Sequence, residues 1–286
     1  MVKNIVILLL LTIAVTPLCA QEYNIGVRAG QNFSTIRGEA EPGEDLGFSR
    51  GFHFGINFSY NFTDYFSLKT ELLYIQHGYS QDYIGPSYYM IRKANGGIVF
   101  ENGNSERIME ISNAYLMIPV TGNLTLTRKW EVFGGVYLGM LIGPTGRGRL
   151  AFESSENPDD IFFNQSLDFK YYGDEAGEIV TFGNRPAIIL VEDEDVVMPK
   201  VVGAYYQYLE KDGNLFKFLD AGISAGVAYY FNRGFYLSVK GDFGLLDITN
   251  NKMDRSLISL NPDNTLNLRK DRDTHIGIQA SFGFKF

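Results

Sequence analysis

The chain has 286 residues, 45% of them hydrophobic and 14% aromatic, and 33 acidic against 25 basic residues give it a net charge of −8. No nucleic-acid partner is expected. One cysteine excludes a disulfide framework, and the length allows one large β domain or two small domains.

At the N-terminus, Lys3 precedes an apolar run from Ile5 to Val15, and Thr16-Pro17-Leu18-Cys19-Ala20 follows. This is the pattern of a secretory signal peptide over residues 1–20, cleaved after Ala20 and too short to span a bilayer. Cys19 invites a lipoprotein reading, but Leu18 is a poor residue to precede a lipidated cysteine. Cleavage after Ala20 leaves residues 21–286 without a cysteine, and no later stretch approaches eighteen apolar residues. The 22 Phe, 18 Tyr and 31 Gly against nine Pro suit a barrel with aromatic girdles and a crowded interior.

Eight segments alternate with period two. The first, Tyr23 to Phe33, sets Ile25, Val27 and Ala29 against Gly26, Arg28 and Gly30. The second, Arg50 to Phe62, sets Phe52, Phe54, Ile56 and Phe58 against His53, Gly55 and Asn57. The third, Phe66 to Tyr79, sets Leu68, Leu72 and Tyr74 against Lys69, Glu71, Leu73 and Ile75, and is the least regular. The fourth runs from about Ile108 to Leu126, with Leu116, Ile118, Val120 and Leu124 outward. The fifth, Trp130 to Gly143, opposes Val136, Leu138 and Ile142 to Glu131, Gly135 and Tyr137. The sixth, Phe218 to Tyr230, opposes Ile223 and Val227 to Asp220, Gly222 and Gly226. The seventh, Phe235 to Asp247, opposes Leu237, Val239 and Phe243 to Lys240, Asp242 and Gly244. The eighth ends the chain, with Ile276, Ile278, Phe282, Phe284 and Phe286 on one face and His275, Gln279 and Lys285 on the other.

These segments reach eleven residues or more, against about ten for a strand crossing a bilayer and five or six in soluble sandwiches. Connections at 61–65, 127–129 and 231–234 are tight. Those near 37–49, 80–107, 144–217 and 248–273 are long, as periplasmic turns and extracellular loops should be. The expected fold is all-β: an eight-stranded antiparallel up-and-down transmembrane β-barrel, residues 21–286, with long extracellular loops, the largest at about 144–217.

The inward faces carry Arg28, Lys69, Lys240 and Lys285 together with Glu71, Glu131, Asp220 and Asp242, four charges of each sign. A barrel of eight strands is just wide enough to be filled by side chains. Buried charges there must pair, so a salt-bridged, glycine-lined plug is expected, whereas a pore would favour one sign. Glycines four apart, such as Gly222 and Gly226, make room within such a barrel.

His53 and His275 fall on inward faces, and His77 at the outer end of the third segment. Without metal-ligand spacing they read as hydrogen-bonded lumen residues. Gly143 to Gly148 lacks the ending of a phosphate loop and is set aside. The loop at 144–217 holds fourteen Asp or Glu and seven Lys or Arg, densest at Glu192-Asp193-Glu194-Asp195. Clustered carboxylates can hold calcium, shared with lipopolysaccharide phosphates, but no EF-hand spacing exists and solvated acidity is favoured. Its aromatic pairs argue against disorder and for one or two hairpins, such as Pro186–Val191 with Val196–Ala204. Whether these join the wall is open. No catalytic residue, metal or cofactor is assigned.

The runs Gly51 to Asn57, Phe66 to Gly78, Tyr115 to Pro119 and Gly135 to Gly139, with the terminal Phe282-Gly-Phe-Lys-Phe286, resemble the Bacteroidetes outer-membrane β-barrel family often called PorT-like. The resemblance implies residence in the outer membrane of a Gram-negative bacterium. It also implies insertion by the barrel assembly machinery, with Phe282, Phe284 and Phe286 in the recognised last strand. It offers no catalytic residues. The expected function is therefore non-enzymatic: a plugged barrel among outer-membrane lipid and lipopolysaccharide, with acidic loops that bind a protein partner or surface component. The alternatives are a narrow pore or accessory to surface-protein secretion, and an enzyme whose His–Asp or Ser–His group is assembled from loops near His77.

Overall fold

A computed structural model describes residues 23–286; the signal-peptide and Cys19 readings lie outside the described residues. Among the described residues, eight strands close a ring: β1 (Tyr23–Arg37), β2 (Glu44–Asn61), β3 (Phe66–Arg92), β4 (Ile98–Thr125), β5 (Trp130–Ser154), β11 (Leu219–Tyr230), β12 (Phe235–Gly244) and β15 (Thr274–Lys285). Every neighbour in the ring is antiparallel, and β5 completes it by pairing with β11 from Met140↔Leu219 to Trp130↔Tyr229. The remaining strands lie above one end. They are β6 (Phe162–Lys170), β7 (Ile179–Thr181), β8 (Ala187–Val191), β9 (Glu194–Met198), β10 (Val201–Val202), β13 (Arg255–Leu260) and β14 (Leu266–Leu268).

Alternation in sequence becomes alternation in exposure. Ile25, Phe54, Ile56, Val136, Leu138, Val239, Ile278 and Phe282 are each 47–59% exposed on the outer face, while Arg28, His53, Asp220, Lys240, Asp242 and Gln279 are buried inside. Inward glycines lie beneath inward rings. A β-carbon on Gly226 would sit 2.6 Å from the Phe133 ring, one on Gly222 2.6 Å from the Tyr137 oxygen, and one on Gly283 inside the Tyr236 ring.

Three expected loops prove to be partly strand. β3 and β4 run on past the barrel as one hairpin, paired to Arg92↔Ile98, so most of the span 80–107 is ladder. The connection at 37–49 also shortens, because β2 begins at Glu44. β5 likewise continues to Ser154, well into the stretch read as a loop from 144. There it exchanges its partner β11 for β6, paired from Thr145↔Lys170 to Glu153↔Phe162. One-residue irregularities lie near this rim, between Phe48 and His53 in β2 and at Ala114/Tyr115 in β4. Such bulges bend a strand, here where the barrel wall gives way to free-standing sheet.

The extensions, the two long loops and the small strands form a cap with an apolar core. Tyr89, Ile91, Met109, Phe152, Phe163, Tyr171, Ile189, Met198, Tyr205 and Phe216 are among its buried members. The expected hairpin is present as β8–β9, closed at Val191↔Glu194 by a two-residue turn. Both turn residues, Glu192 and Asp193, have positive φ, of 50° and 62°. A type I′ turn requires this and glycine satisfies it best. In the ring itself none of the small strands takes part: β6, β10 and β7 extend the sheet only above the β5–β11 junction.

A Gly283→Val substitution should destabilise the barrel by about 1–3 kcal/mol through overpacking against Tyr236. The measurement is the temperature at which the folded form is lost on a denaturing gel. Adding Tyr236→Ser should recover part of the loss, and strict additivity of the two changes would contradict the contact.

Candidate functional site: the barrel interior and the extracellular cap

The interior charges come from facing strands. Arg28 on β1 places Nη2 2.8 Å from Glu71 Oε2 on β3, and Lys69 Nζ lies 3.3 Å from the other oxygen of Glu71. Lys69 also stands over the Phe133 and Tyr236 rings, at 5.8 and 5.4 Å. Lys240 Nζ is 3.1 Å from Asp242 Oδ1, and the Ser224 hydroxyl donates to the same oxygen at 2.5 Å. Gln279 bridges, donating to Asp242 and accepting from Arg28 at 3.4 Å. Glu131 is held by neutral donors, Asn123 Nδ2 at 2.7 Å and the Tyr230 hydroxyl at 3.3 Å. Lys285 departs from the expected network: half-buried at the end of β15, it makes no ion pair among the described residues.

The histidines meet in a way their spacing hides. His77 is buried, and its Nδ1 lies 2.8 Å from His275 Nε2; His275 Nδ1 is 3.2 Å from Asp220 Oδ2. The Tyr137 hydroxyl donates to that same oxygen at 3.3 Å. His77 is thus an interior residue, not one at the loops, because inward alternation on β3 carries it toward β15. His53 bonds to Ser281 at 2.8 Å and Asn32 at 3.3 Å. Among the described residues no group of three His, Cys, Asp or Glu side chains is arranged to hold a metal ion.

In the cap, the acidic run resolves into the tip of the β8–β9 hairpin. Glu192 and Glu194 flank Lys93 at 2.6 and 3.3 Å, tying the hairpin tip to the β3–β4 turn. Side chains also bond to backbone across segments. Gln207 accepts from Met90 N–H at 2.8 Å and donates to its carbonyl at 3.3 Å, taking the place of a strand neighbour. Asp174 accepts from the N–H groups of Lys170 and Ala204, at 2.9 and 2.8 Å. Tyr208 donates to Lys252 O at 2.9 Å, joining the third loop to the fourth.

The cap encloses two adjoining cavities, of about 60 and 40 Å³, which share Arg107, Phe169, Ala204, Arg255 and Leu257 as lining. The sequence offered no sign of this site, because Arg107 lies on β4 and Arg255 at the start of β13.

Asp254, just before β13, and Asp273, just before β15, are both buried. Burial, then the neighbouring Asp273 carboxylate, pushes Asp254 up to about 8, and burial raises Asp273 as well. The folded cap keeps a proton that an unfolded chain releases near pH 4. Its contribution is therefore whole below that value and is lost as pH rises through about 8. Proteolytic nicking within 249–272 should accelerate from pH 6 to pH 9, relative to an unstructured substrate, and Asp254→Asn should flatten the dependence. In the barrel, Glu71→Gln strands Arg28 and Lys69 and should cost about 3–5 kcal/mol, read by urea titration of the folded form.

Comparison with solved structures returns small barrels of low identity. Ail of Yersinia pestis, solved with the heparin analogue sucrose octasulfate, overlaps at a TM-score of 0.37 and 9% identity, covering 93% of this chain and 100% of that one. OprG of Pseudomonas aeruginosa gives 0.35 and 10%, covering 93% and 96%. Neisserial surface protein A gives 0.33 and 10%, covering 92% and 97%. No curated protein matches by sequence. Residues 19–250 match the family described as outer membrane protein beta-barrel domain. The chain belongs to that family and resides in the outer membrane of a Gram-negative bacterium.

Proposed function

We propose that this protein is a non-enzymatic, non-conducting barrel whose work is done by its cap, which binds a partner or surface component outside the cell. The observation that carries this reading is the apolar core of the cap. Buried aromatics of β3, β5, β6 and the third loop, with Met109 and Ile111 of β4, pack together above a wall too narrow to need them. Loops that merely connect strands seldom enclose a core, and binding groups are best held on a rigid scaffold.

Support for a plugged lumen comes from the ion pairs and hydrogen bonds that cross it from β1, β3, β11, β12 and β15. The narrower PorT-like kinship rests on the strand motifs and keeps an accessory role in surface-protein secretion as the second reading. In this reading the signal peptide delivers the chain to the periplasm, and the last strand with Phe282, Phe284 and Phe286 is offered to the assembly machinery.

Purified protein in planar bilayers should show no steady conductance; large stable openings would overturn the plug. Pull-down from native outer membranes should recover a specific companion with the whole chain. The companion should disappear when residues 155–212 are replaced by a short Gly-Ser linker. The same band from both proteins would remove the cap from the function, and a deletion strain that retains surface proteins in its periplasm would favour the secretion reading.

A further inference from the structure

We propose that the cavity in the cap holds a small oxyanion, a carboxylate or phosphate group, between the guanidinium groups of Arg107 and Arg255. This rests on the reading of the cap as the binding element and names the chemistry of its ligand.

The two arginines arrive from separate parts of the chain. Arg107 is on the extracellular half of β4, and Arg255 is in the fourth loop, yet both line both cavities. Neither makes an ion pair among the described residues. Arg107 donates from Nη2 to Met109 Sδ at 2.9 Å and stands 6.0 Å from the Phe169 ring, while its Nε is buried without a hydrogen-bond partner. Arg255 donates to the Gln207 carbonyl at 3.4 Å and stands 4.9 Å from the Tyr208 ring. A sulfur, a long carbonyl contact and two ring faces are weak company for two guanidinium groups that cannot deprotonate.

The contrast with the rest of the chain is informative. In the barrel, buried Arg28, Lys69 and Lys240 each touch a carboxylate. The cap has an excess of carboxylates, and buried Asp254 is the chain neighbour of Arg255, yet among the described residues none lies within ion-pair distance of Arg107 or Arg255. Like charges sharing a low-dielectric space repel, and an unpaired buried ion carries a steep desolvation cost unless a counter-charge arrives. Burial, then the charge of Arg255, pulls the Arg107 guanidinium below its ordinary value; burial acts on Arg255 in the same sense but is outweighed by the surrounding tyrosines, Tyr208 first, which hold it above its own. An anion entering from outside removes both penalties, and the planar fork of arginine suits the paired oxygens of a carboxylate or phosphate.

The space fits this occupant. At about 60 Å³, the larger cavity exceeds by several-fold the roughly 15 Å³ that one water needs. Its wall alternates aromatic rings, including Tyr88, Tyr89 and Tyr206, with the polar groups of Ser105 and Gln165. That mixture admits either a free ion or the acidic group of a sugar.

The test is thermal unfolding of the whole chain in a zwitterionic detergent, at fixed ionic strength set with sodium chloride. Inorganic phosphate, acetate, glucuronate and uncharged glucose are titrated separately. At least one of the three anions should raise the melting temperature at millimolar concentration, and glucose should not. Response to glucuronate at lower concentration than to phosphate or acetate would identify a sugar acid as the source, and the reverse a free ion. Arg107→Gln and Arg255→Gln should each weaken the anion response at least tenfold. Without anion, both variants should melt no lower than the parent, since each sheds an unpaired cation. Arg147→Gln, which changes an exposed guanidinium on the outer face, should leave the response intact.

The proposal fails if no anion shifts the melt, or if the double variant responds as the parent does. It fails also if both arginine variants are strongly destabilised without ligand, which would make them structural props. Should those variants still capture the companion of the pull-down, the pocket falls while the cap keeps its role. Loss of the companion from the linker protein is scored independently.

Discussion

Inside a bilayer no water is available for an unpaired strand edge, so a β-sheet can cross only as a closed ring. Here that closure is the pairing of β5 with β11, along the lower half of β5 alone. Above Met140 and Leu219 the two strands part, and β5 takes β6 as its neighbour. The exchange is permitted only where water, or another segment, can satisfy what the ring no longer does. One strand therefore belongs to two sheets, and the level of the exchange divides the molecule into two solvent regimes.

The interior inverts across that level. Below it, apolar side chains face outward and the inside is a hydrogen-bonded set of ions and amides. Above it, the same inward face of β3 carries Tyr79, Tyr83, Tyr89 and Ile91 into an apolar core, while exposed pairs such as Arg149–Glu106 sit outside. Leu73 and Ile75, both fully buried, already belong to the transition. The cap is built like a water-soluble domain and the barrel like its inverse, on shared strands.

This inversion explains what could be read from the sequence. Wall positions were legible because lipid on one face and ions on the other enforce strict alternation, as in β1, β12 and β15. The third segment looked irregular because its inward face passes from Lys69 and Glu71 to Leu73 and Ile75. The hairpin through 80–107 was hidden: near its tip, Tyr88, Tyr89, Met90 and Ile91 are all buried, so period two disappears. Side chains of the third and fourth loops cover both faces there. The contact of His77 with His275 and the shared cavity of Arg107 and Arg255 left no local trace, since each joins residues far apart in the chain.

The hairpin of β3 and β4 also sets a scale. From Tyr79 to Arg92 the ladder continues at about 3.3 Å per residue, so its tip lies roughly 40 Å farther along the strand, a reach that tilt shortens but does not abolish. The turn at Lys93 to Gly97, pinned by Glu192 and Glu194, is the part of the molecule farthest along this hairpin from the bilayer. A large body approaching the cell from outside would meet this pinned apex before it reached the wall.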